Sequence, residues 1–411
     1  MHRPEPRAAD IGLLYCIYFG FVGASGPYFP LLFDHWGMTA LQIGALVALS
    51  QLIRIVAPPV WGWAADRRGH VRGLLQAGAA IMAAMCLLLP QTAMLEPALR
   101  FAGAAVVMAF LHLAAAGQGP LTESMSLRLS DGDFGRYGRM RVWGSVGFIV
   151  TVAGFGPLLD AFGVGLLPFL LAAIACALLL AVRRLPAGGN APARRRADRL
   201  RDEIFKPTML AFLLASLLMI LAHAPFYAFF SLYLVHLGYG KTAIGLFWAL
   251  GVFAEIGLFL IQKRMFDRFA ASALLVATML LCVLRFGMTA AAAWLPETAT
   301  TLVLVVAQLL HAATFALHHS ASMSLMHQRF GTRYQARAQS LYTAVSYGVG
   351  GSIGGLGAGI IWQAWGPGAT FYTASIAAAF GTVAALFVHR GTRREMLAGS
   401  GRPPQPEPGS T

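Results

Sequence analysis

Arg183–Lys206, RRLPAGGNAPARRRADRLRDEIFK, is the one long polar interruption in an otherwise largely apolar chain of 411 residues. Pro186, Gly188, Gly189 and Pro192 break regular structure there, and the charges after them suit a short surface helix. Six apolar stretches precede it and six follow, each near the roughly 20 residues that a membrane-spanning helix needs. The first six cover about 11–33, 41–64, 73–90, 98–126, 142–160 and 164–183. The second six cover about 207–235, 243–262, 272–295, 299–326, 338–362 and 370–388. The runs are continuously apolar, whereas barrel strands would alternate over roughly ten residues. The expected fold is therefore an all-α membrane protein with twelve transmembrane helices in two six-helix bundles. The bundles fall at 1–184 and 207–390, the basic linker at 185–206, and a disordered tail at 391–411 that ends GRPPQPEPGST.

Composition agrees: 57% of the residues are hydrophobic and 12% charged, far from the balance of soluble domains. The net charge of +14 would fit a nucleic-acid partner, but its placement rejects one. One side carries Arg3 and Arg7, then Arg67, Arg68 and Arg72 after span 2, and Arg128, Arg136, Arg139 and Arg141 after span 4. The same side takes eight basic residues from Arg183 to Lys206, three after span 8, three after span 10 and four in the tail. The other side has only Arg100 and Lys241. That is the positive-inside pattern, so both termini are expected in the cytoplasm and the chain in the cell inner membrane. Span 1 is too long for a signal h-region and no small-residue cleavage site follows it, so it is expected to remain as a helix. Cys16, Cys86, Cys176 and Cys282 all lie inside spans without metal-ligand spacing, and read as small buried hydrophobes.

The connections after spans 2 and 8, GWAADRRGHVR from Gly62 and QKRMFDRFAAS from Gln262, occupy corresponding places, and each sets an Asp beside an Arg. This is the pattern of a duplicated six-helix unit, with a binding site expected between the halves at mid-membrane. In span 11, GVGGSIGGLGAG (348–359) puts glycines four apart, which suits close helix packing or a sliding face. It is no phosphate loop, since no Lys-Ser/Thr follows and no strand precedes. Pro27 and Pro30 are expected to kink span 1, a feature tolerated where backbone lines a cavity.

Charges near mid-span are costly and persist mainly along a substrate or proton path. Glu255, Arg285 and His311 fall in consecutive spans 8, 9 and 10, with His318 seven residues on and on nearly the same helical face. They read either as a structural ion-paired group or as a proton-coupling cluster, in which burial favours a neutral carboxyl and a nearby guanidinium favours its release. Glu123 and Arg141 read as an edge ion pair or as substrate contacts. Arg54 has no acid partner in its own span, and its guanidinium suits a substrate carboxylate. His223 is a packing histidine or a coupling residue. Tyr28, Phe226, Tyr227, Phe230, Trp248 and Trp143 are candidates for an apolar cavity wall. No zinc or other metal site is expected, because no second carboxylate or Cys has ligand spacing.

Gly62-x3-Asp66-Arg67-x-Gly69-x2-Arg72 resembles the signature loop between helices 2 and 3 of the major facilitator superfamily, with His70 where the pattern prefers a basic residue. The resemblance implies a role in conformational gating. A closer resemblance runs over about 15–388: GPYFPLLF, RIVAPPVWGWAADR, GPLTES and YGRMRVWGSVGF in the first half, AHAPFYAFFSLYL, GLFWALGVFAEI and QLLHAATFALHH in the second. Together they resemble the phenylpropionate permease group, related to the oligosaccharide/proton symporters that include lactose permease. That likeness implies acid, Arg and His in spans 8–10 coupling protons to substrate, and an Arg141–Glu123 pair at the substrate site.

The expectation is a proton-coupled importer of a small aromatic carboxylate such as 3-phenylpropionate, acting by alternating access as a monomer in the lipid bilayer without a cofactor. A sugar or nucleoside symporter comes second, drug efflux third, and a transport-like membrane sensor stands as the reading from another class. No Ser/His pair, two-Asp motif or metal-ligand set suggests an enzyme, and no nucleotide-binding motif suggests ATP-driven transport.

Overall fold

The computed structural model describes residues 7–68, 70–131, 133–185 and 204–400. Six helices precede the linker: α1 (Ala8–His35), α2 (Ala40–Arg68), α3 (Val71–Ala93), α4 (Pro97–Ser130), α5 (Phe134–Phe162) and α6 (Leu167–Arg183). After it come α7 (Pro207–His236), α8 (Lys241–Arg268), α9 (Ala271–Ala291) and α10 (Glu297–Gly331). The helical stretch Arg337–Glu395 then runs for 59 residues. At 1.5 Å per residue that is about 90 Å, three times the hydrocarbon thickness of roughly 30 Å. It turns at Gly366, whose φ of 81° and ψ of −177° are open essentially to glycine alone, and Pro367 follows. The stretch is thus two spans, α11 (337–365) and α12 (367–400).

The linker expected at 185–206 lies outside the described residues except at its ends, as do residues 1–6, Gly69 and 401–411. The disordered tail expected from residue 391 needs correction, because α12 continues to Ser400. Glu395 holds this extension to the bundle: it accepts from Thr208 Oγ1 at 2.7 Å and pairs with Arg329 at 2.7 Å. In α1 the helix continues through Pro27 and Pro30 without a break. Residues Pro27 to Phe33 are all buried, where neighbouring helices surround the prolines. Between α4 and α5 the chain turns at Asp131, in the left-handed region at φ 46°, and Asp133 caps α5. The Arg136 N–H bonded to Asp133 holds its carboxyl below the usual range.

Within the first bundle α1 packs on α5 and α6, α3 on α4 and α6, and α2 on α4. Within the second, α7 packs on α11 and α12, α9 on α12, and α8 on α10. The bundles meet through α2 with α11 and α5 with α8. Their joints lie at the membrane side away from the chain termini, here called the far side. A Cβ on Gly359 would come within 2.7 Å of the Ala40 carbonyl and 3.2 Å of Gly44 Cα, so the α2–α11 backbones touch only because glycine is there. Nearby, the Leu41 N–H donates to Gln363 Oε1 at 3.3 Å. Asp160, at the end of α5, accepts the Lys241 and Thr242 backbone N–H groups at 2.9 and 2.8 Å and the Thr242 hydroxyl at 2.6 Å. It therefore caps α8 across the bundle boundary, and the Lys241 Nζ lies 3.7 Å away. The two bundles are thus joined on the far side.

Candidate functional site

Glu255 of α8, Arg285 of α9 and His311 of α10 lie at one level of the second bundle, since His311 contacts Glu255 and Arg285 bonds the Ala307 carbonyl one turn before His311. The structure joins two of the three. His311 Nε2 is 3.0 Å from Glu255 Oε1, with side chains 8% and 18% exposed. His311 Nδ1 is buried with no hydrogen-bond partner. The imidazole and carboxyl thus hold a proton between them, either on nitrogen facing a carboxylate or on oxygen facing a neutral ring.

Arg285 is not paired with Glu255 in this structure, so the three residues do not form one ion-paired group. Only 1% of Arg285 is exposed, and no carboxylate lies within 4.0 Å of it among the described residues. Its Nε donates to the Ala307 carbonyl at 3.0 Å, Nη1 to His223 Nε2 at 3.1 Å and Thr314 Oγ1 at 3.3 Å, and Nη2 to Gln308 Oε1 at 3.2 Å. Phe226 and Phe286 lie 4.5 and 4.9 Å from the guanidinium carbon, so the cation is also held by ring faces. Gln308 reaches on to the Phe247 carbonyl at 3.1 Å, tying α10 to α8. Sequence reasoning passed over Gln308 and Thr314, although their spacing of three on either side of His311 is a helical-face signal.

His318 makes no hydrogen bond to Glu255, Arg285 or His311 among the described residues. It contacts Thr278 Oγ1 through Nδ1 at 3.0 Å, and its Nε2 is unpartnered. Between the two histidines the helix is π-helical over Ala312–Leu317. Its i→i+5 bonds widen the turn and change the phase, so the seven-residue spacing no longer superposes the rings; such stretches recur at functional sites. A second π-helical stretch, Ala344–Gly350, carries Tyr347 in α11.

Aromatic rings enclose the cluster. Phe315 stacks on His311 at 5.4 Å and 6°, and Phe226 lies 5.2 Å from the same ring. Trp248 packs on Phe226 at 4.6 Å and Tyr227 at 6.2 Å, and its Nε1 donates to Ser231 Oγ. Tyr28 is not part of this wall. It is fully buried and donates to the Val152 carbonyl at 2.7 Å, with the Lys241 carbonyl at 3.4 Å, a joint between α1, α5 and α8. Trp143 is half exposed on α5, away from this wall, beside Gly12 of α1.

In the first bundle the expected Glu123–Arg141 pair does not form. Glu123 accepts hydrogen bonds from the hydroxyls of Tyr15 and Tyr137, on α1 and α5. Arg141 lies over the rings of Phe19 at 4.3 Å and Tyr15 at 5.4 Å instead. Each carboxylate oxygen has one phenol donor, and the ring faces give the guanidinium an alternative to it. Arg54 is exposed on α2 and has no carboxylate within 4.0 Å among the described residues. Of the signature loop, α2 ends at Arg68 and α3 begins at Val71, which makes the turn very short. Gly62 is half-buried, Arg67 lies 5.4 Å from the Trp63 ring, and Arg72 is half-buried on α3. The side chain of Asp66 and all of Gly69 lie outside the described residues.

The MFS_1 like family model matches residues 9–373. A probable 3-phenylpropionic acid transporter of Escherichia coli (strain K12) is 31% identical over 244 residues, 59% of this chain and 62% of that relative. The match thus spans less than two thirds of that relative's length. A maltose permease of Geobacillus stearothermophilus is 28% identical over 394 residues, 93% of this chain and 94% of that one. Among solved structures, a crystal structure of the nucleoside transporter NupG superposes with a TM-score of 0.82 at 16% identity, covering 93% of this chain and 99% of that one, a likeness of fold. With the twelve-span, two-bundle architecture and the family match over most of its length, the chain belongs to the MFS_1 like family, whose members are multi-pass membrane transporters rather than enzymes.

Proposed function

We propose that the protein imports a small aromatic carboxylate, such as 3-phenylpropionate, together with protons by alternating access. The observation that carries this reading is the Glu255–His311 pair, buried beside a guanidinium with no carboxylate partner and walled by Phe226, Tyr227, Trp248 and Phe315. The pair stores a proton within the membrane, and Arg285 supplies the charge that drives its release when the bundles rearrange. Arg54, exposed and without an acid, takes the substrate carboxylate, while the aromatic wall takes its ring. His318, held by Thr278 on another face, has no part in this relay. The 62–72 loop gates, so Asp66→Asn slows turnover and leaves affinity within a few-fold. The membrane is the bacterial inner membrane, with both termini and the linker cytoplasmic, as the Lys and Arg asymmetry supports. The structure, closed on the far side, is then the state closed to the outside.

A sugar symporter is the second reading, favoured by the 28% identity to the maltose permease over 93% of the chain. Uptake into proteoliposomes under an imposed inside-alkaline pH gradient decides between them. Labelled aromatic acids, disaccharides and nucleosides are compared with and without a protonophore. Accumulation of an aromatic acid that collapses with protonophore supports the proposal. Accumulation of a disaccharide alone would replace the substrate, and pH-indifferent uptake would remove the proton.

A further inference from the structure

His223 has no task in the relay proposed above, yet it is fully buried against the one cation of that relay. Its Nδ1 lies 2.9 Å from the Met219 carbonyl, four residues earlier on α7. A carbonyl only accepts, so Nδ1 carries the hydrogen and Nε2 presents a lone pair. That lone pair faces Arg285 Nη1 at 3.1 Å and Thr314 Oγ1 at 3.4 Å. The local backbone thus fixes a neutral tautomer as an acceptor for the guanidinium. Without it, Arg285 would lose the one imidazole acceptor among its side-chain partners, and the carboxyl beside it is Glu255, held by His311 of α10, the same helix that Arg285 bonds through the Ala307 carbonyl. An arginine drawn to that carboxylate would discharge its proton early.

We infer that His223 is a positioning residue that holds Arg285 off Glu255, so that the Glu255–His311 pair keeps its proton until the bundles move. This rests on the reading of Glu255 as the coupling carboxyl. The groups facing His223 are Arg285 and Cys282 of α9, His311 and Thr314 of α10, and Phe286, Phe315 and Tyr227 as ring neighbours, with His318 of α10 within electrostatic reach. Helices α1, α11 and α12, which also pack on α7, place no charged side chain in hydrogen-bond or ring contact with His223 among the described residues. Arg285 is therefore the charge His223 governs directly, and Glu255 is reached through it.

The test uses His223→Leu and His223→Gln, each alone and combined with Glu255→Gln, in full-length protein reconstituted in proteoliposomes. Initial uptake is recorded against pH, alongside counterflow exchange, which needs binding and movement but no net proton transfer. His223→Leu is expected to cut accumulation at least about fivefold and to move the uptake profile by about half a unit or more toward lower pH, because a guanidinium near a carboxyl makes protonation harder. Exchange should stay within about twofold of wild type. His223→Gln, whose amide oxygen can accept from Arg285, should restore the wild-type profile. In the Glu255→Gln background His223→Leu should move nothing further. A wild-type profile for His223→Leu, with Glu255→Gln uncoupled, overturns the inference and leaves the coupling reading standing. A shift that persists in Glu255→Gln also overturns it, since His223 would then act elsewhere. If Glu255→Gln itself accumulates substrate normally, the coupling reading fails instead. Should His223→Leu not fold, His223→Phe, a ring without an acceptor, is measured in its place.

Discussion

Glu123 in the first bundle and Glu255 in the second are both carboxyls inside spans, and each has an arginine on a neighbouring helix; what surrounds them differs in chemistry. Glu123 is gripped by two phenol hydroxyls, from Tyr15 and Tyr137, and its arginine rests on aromatic faces. Glu255 meets an imidazole, and its arginine is occupied by another imidazole, an amide, a hydroxyl and a carbonyl. Phenols titrate far above neutral pH, so they donate to Glu123 throughout and fix it as an acceptor. An imidazole changes charge near neutrality and can take or give the proton shared with a carboxyl. On the proposed reading, the same acid–arginine theme in the two bundles serves a fixed polar contact in one and a proton-exchanging site in the other.

The sharpest way to break that comparison is to neutralise each carboxyl in turn. Glu255→Gln mimics the protonated acid, and it should retain binding and exchange yet lose proton-driven accumulation by about a hundredfold. Glu123→Gln keeps an acceptor for one tyrosine and should lower uptake only several-fold without altering its dependence on the pH gradient. Accumulation against a gradient by Glu255→Gln, or uncoupling by Glu123→Gln, would reverse the assignment of roles to the two bundles.

The fold was legible because hydrocarbon imposes it: continuous apolar runs of span length and one-sided Lys and Arg leave little alternative. The Gly348–Gly359 run also read correctly as a close-packing face, which α11 turns toward α2 and α7. Of the candidate site, the sequence named residues that the structure brings near one another, but not their hydrogen-bond partners. Spacing names Glu255, Arg285 and His311, but it cannot say that Gln308 and Thr314 satisfy the guanidinium, nor that two tyrosines reach Glu123 before Arg141 does. Opposite charges in one bundle invite an ion-pair reading, while neutral donors and ring faces compete for each partner only in three dimensions. The π-helical stretch after His311 defeated the placement of His318, because a period of 3.6 was assumed through a segment that does not keep it.

A smaller effect tests where the substrate's charge goes. Arg54 is exposed and without an acid, whereas Arg285 is enclosed. Arg54→Gln should therefore weaken uptake of aromatic carboxylates by about tenfold or more, about the worth of a charge-assisted hydrogen bond, and leave neutral analogues nearly unchanged. Equal loss for acids and neutral analogues would withdraw Arg54 from the substrate site and make it a packing or solvation residue.

The far-side joint offers a comparison of another sort, since Asp160 and Lys241 belong to different bundles. Asp160→Ala removes the cap of α8 and three short hydrogen bonds across the boundary. Because the site is partly exposed, the cost should be about 1–2 kcal/mol, roughly a tenfold shift toward the state open on the far side. Labelling of a cysteine placed at Thr39 by an impermeant reagent should speed up accordingly. Unchanged labelling, with folding intact, would show that the glycine contact of α2 and α11 closes that side by itself.

The mildest prediction returns to Glu123 and asks whether its two phenols are equivalent. Tyr15 is buried and lies under the Arg141 guanidinium, whereas Tyr137 is half-buried at the start of α5, where water can replace a lost hydroxyl. Tyr137→Phe removes one donor to a carboxylate and keeps the ring, so the loss should be about 1 kcal/mol, a fall in uptake of roughly fivefold or less. Tyr15→Phe leaves a buried acceptor short of a donor with no water at hand, and should cost more, by about another 1 kcal/mol. Neither change should move the pH profile, because neither phenol titrates in the working range and the proton-exchanging site lies in the other bundle. Initial uptake measured from about pH 5.5 to 8 checks both points. A profile that shifts with Tyr137→Phe would show that Glu123 takes up and releases a proton too, and the two carboxyls would then share the coupling.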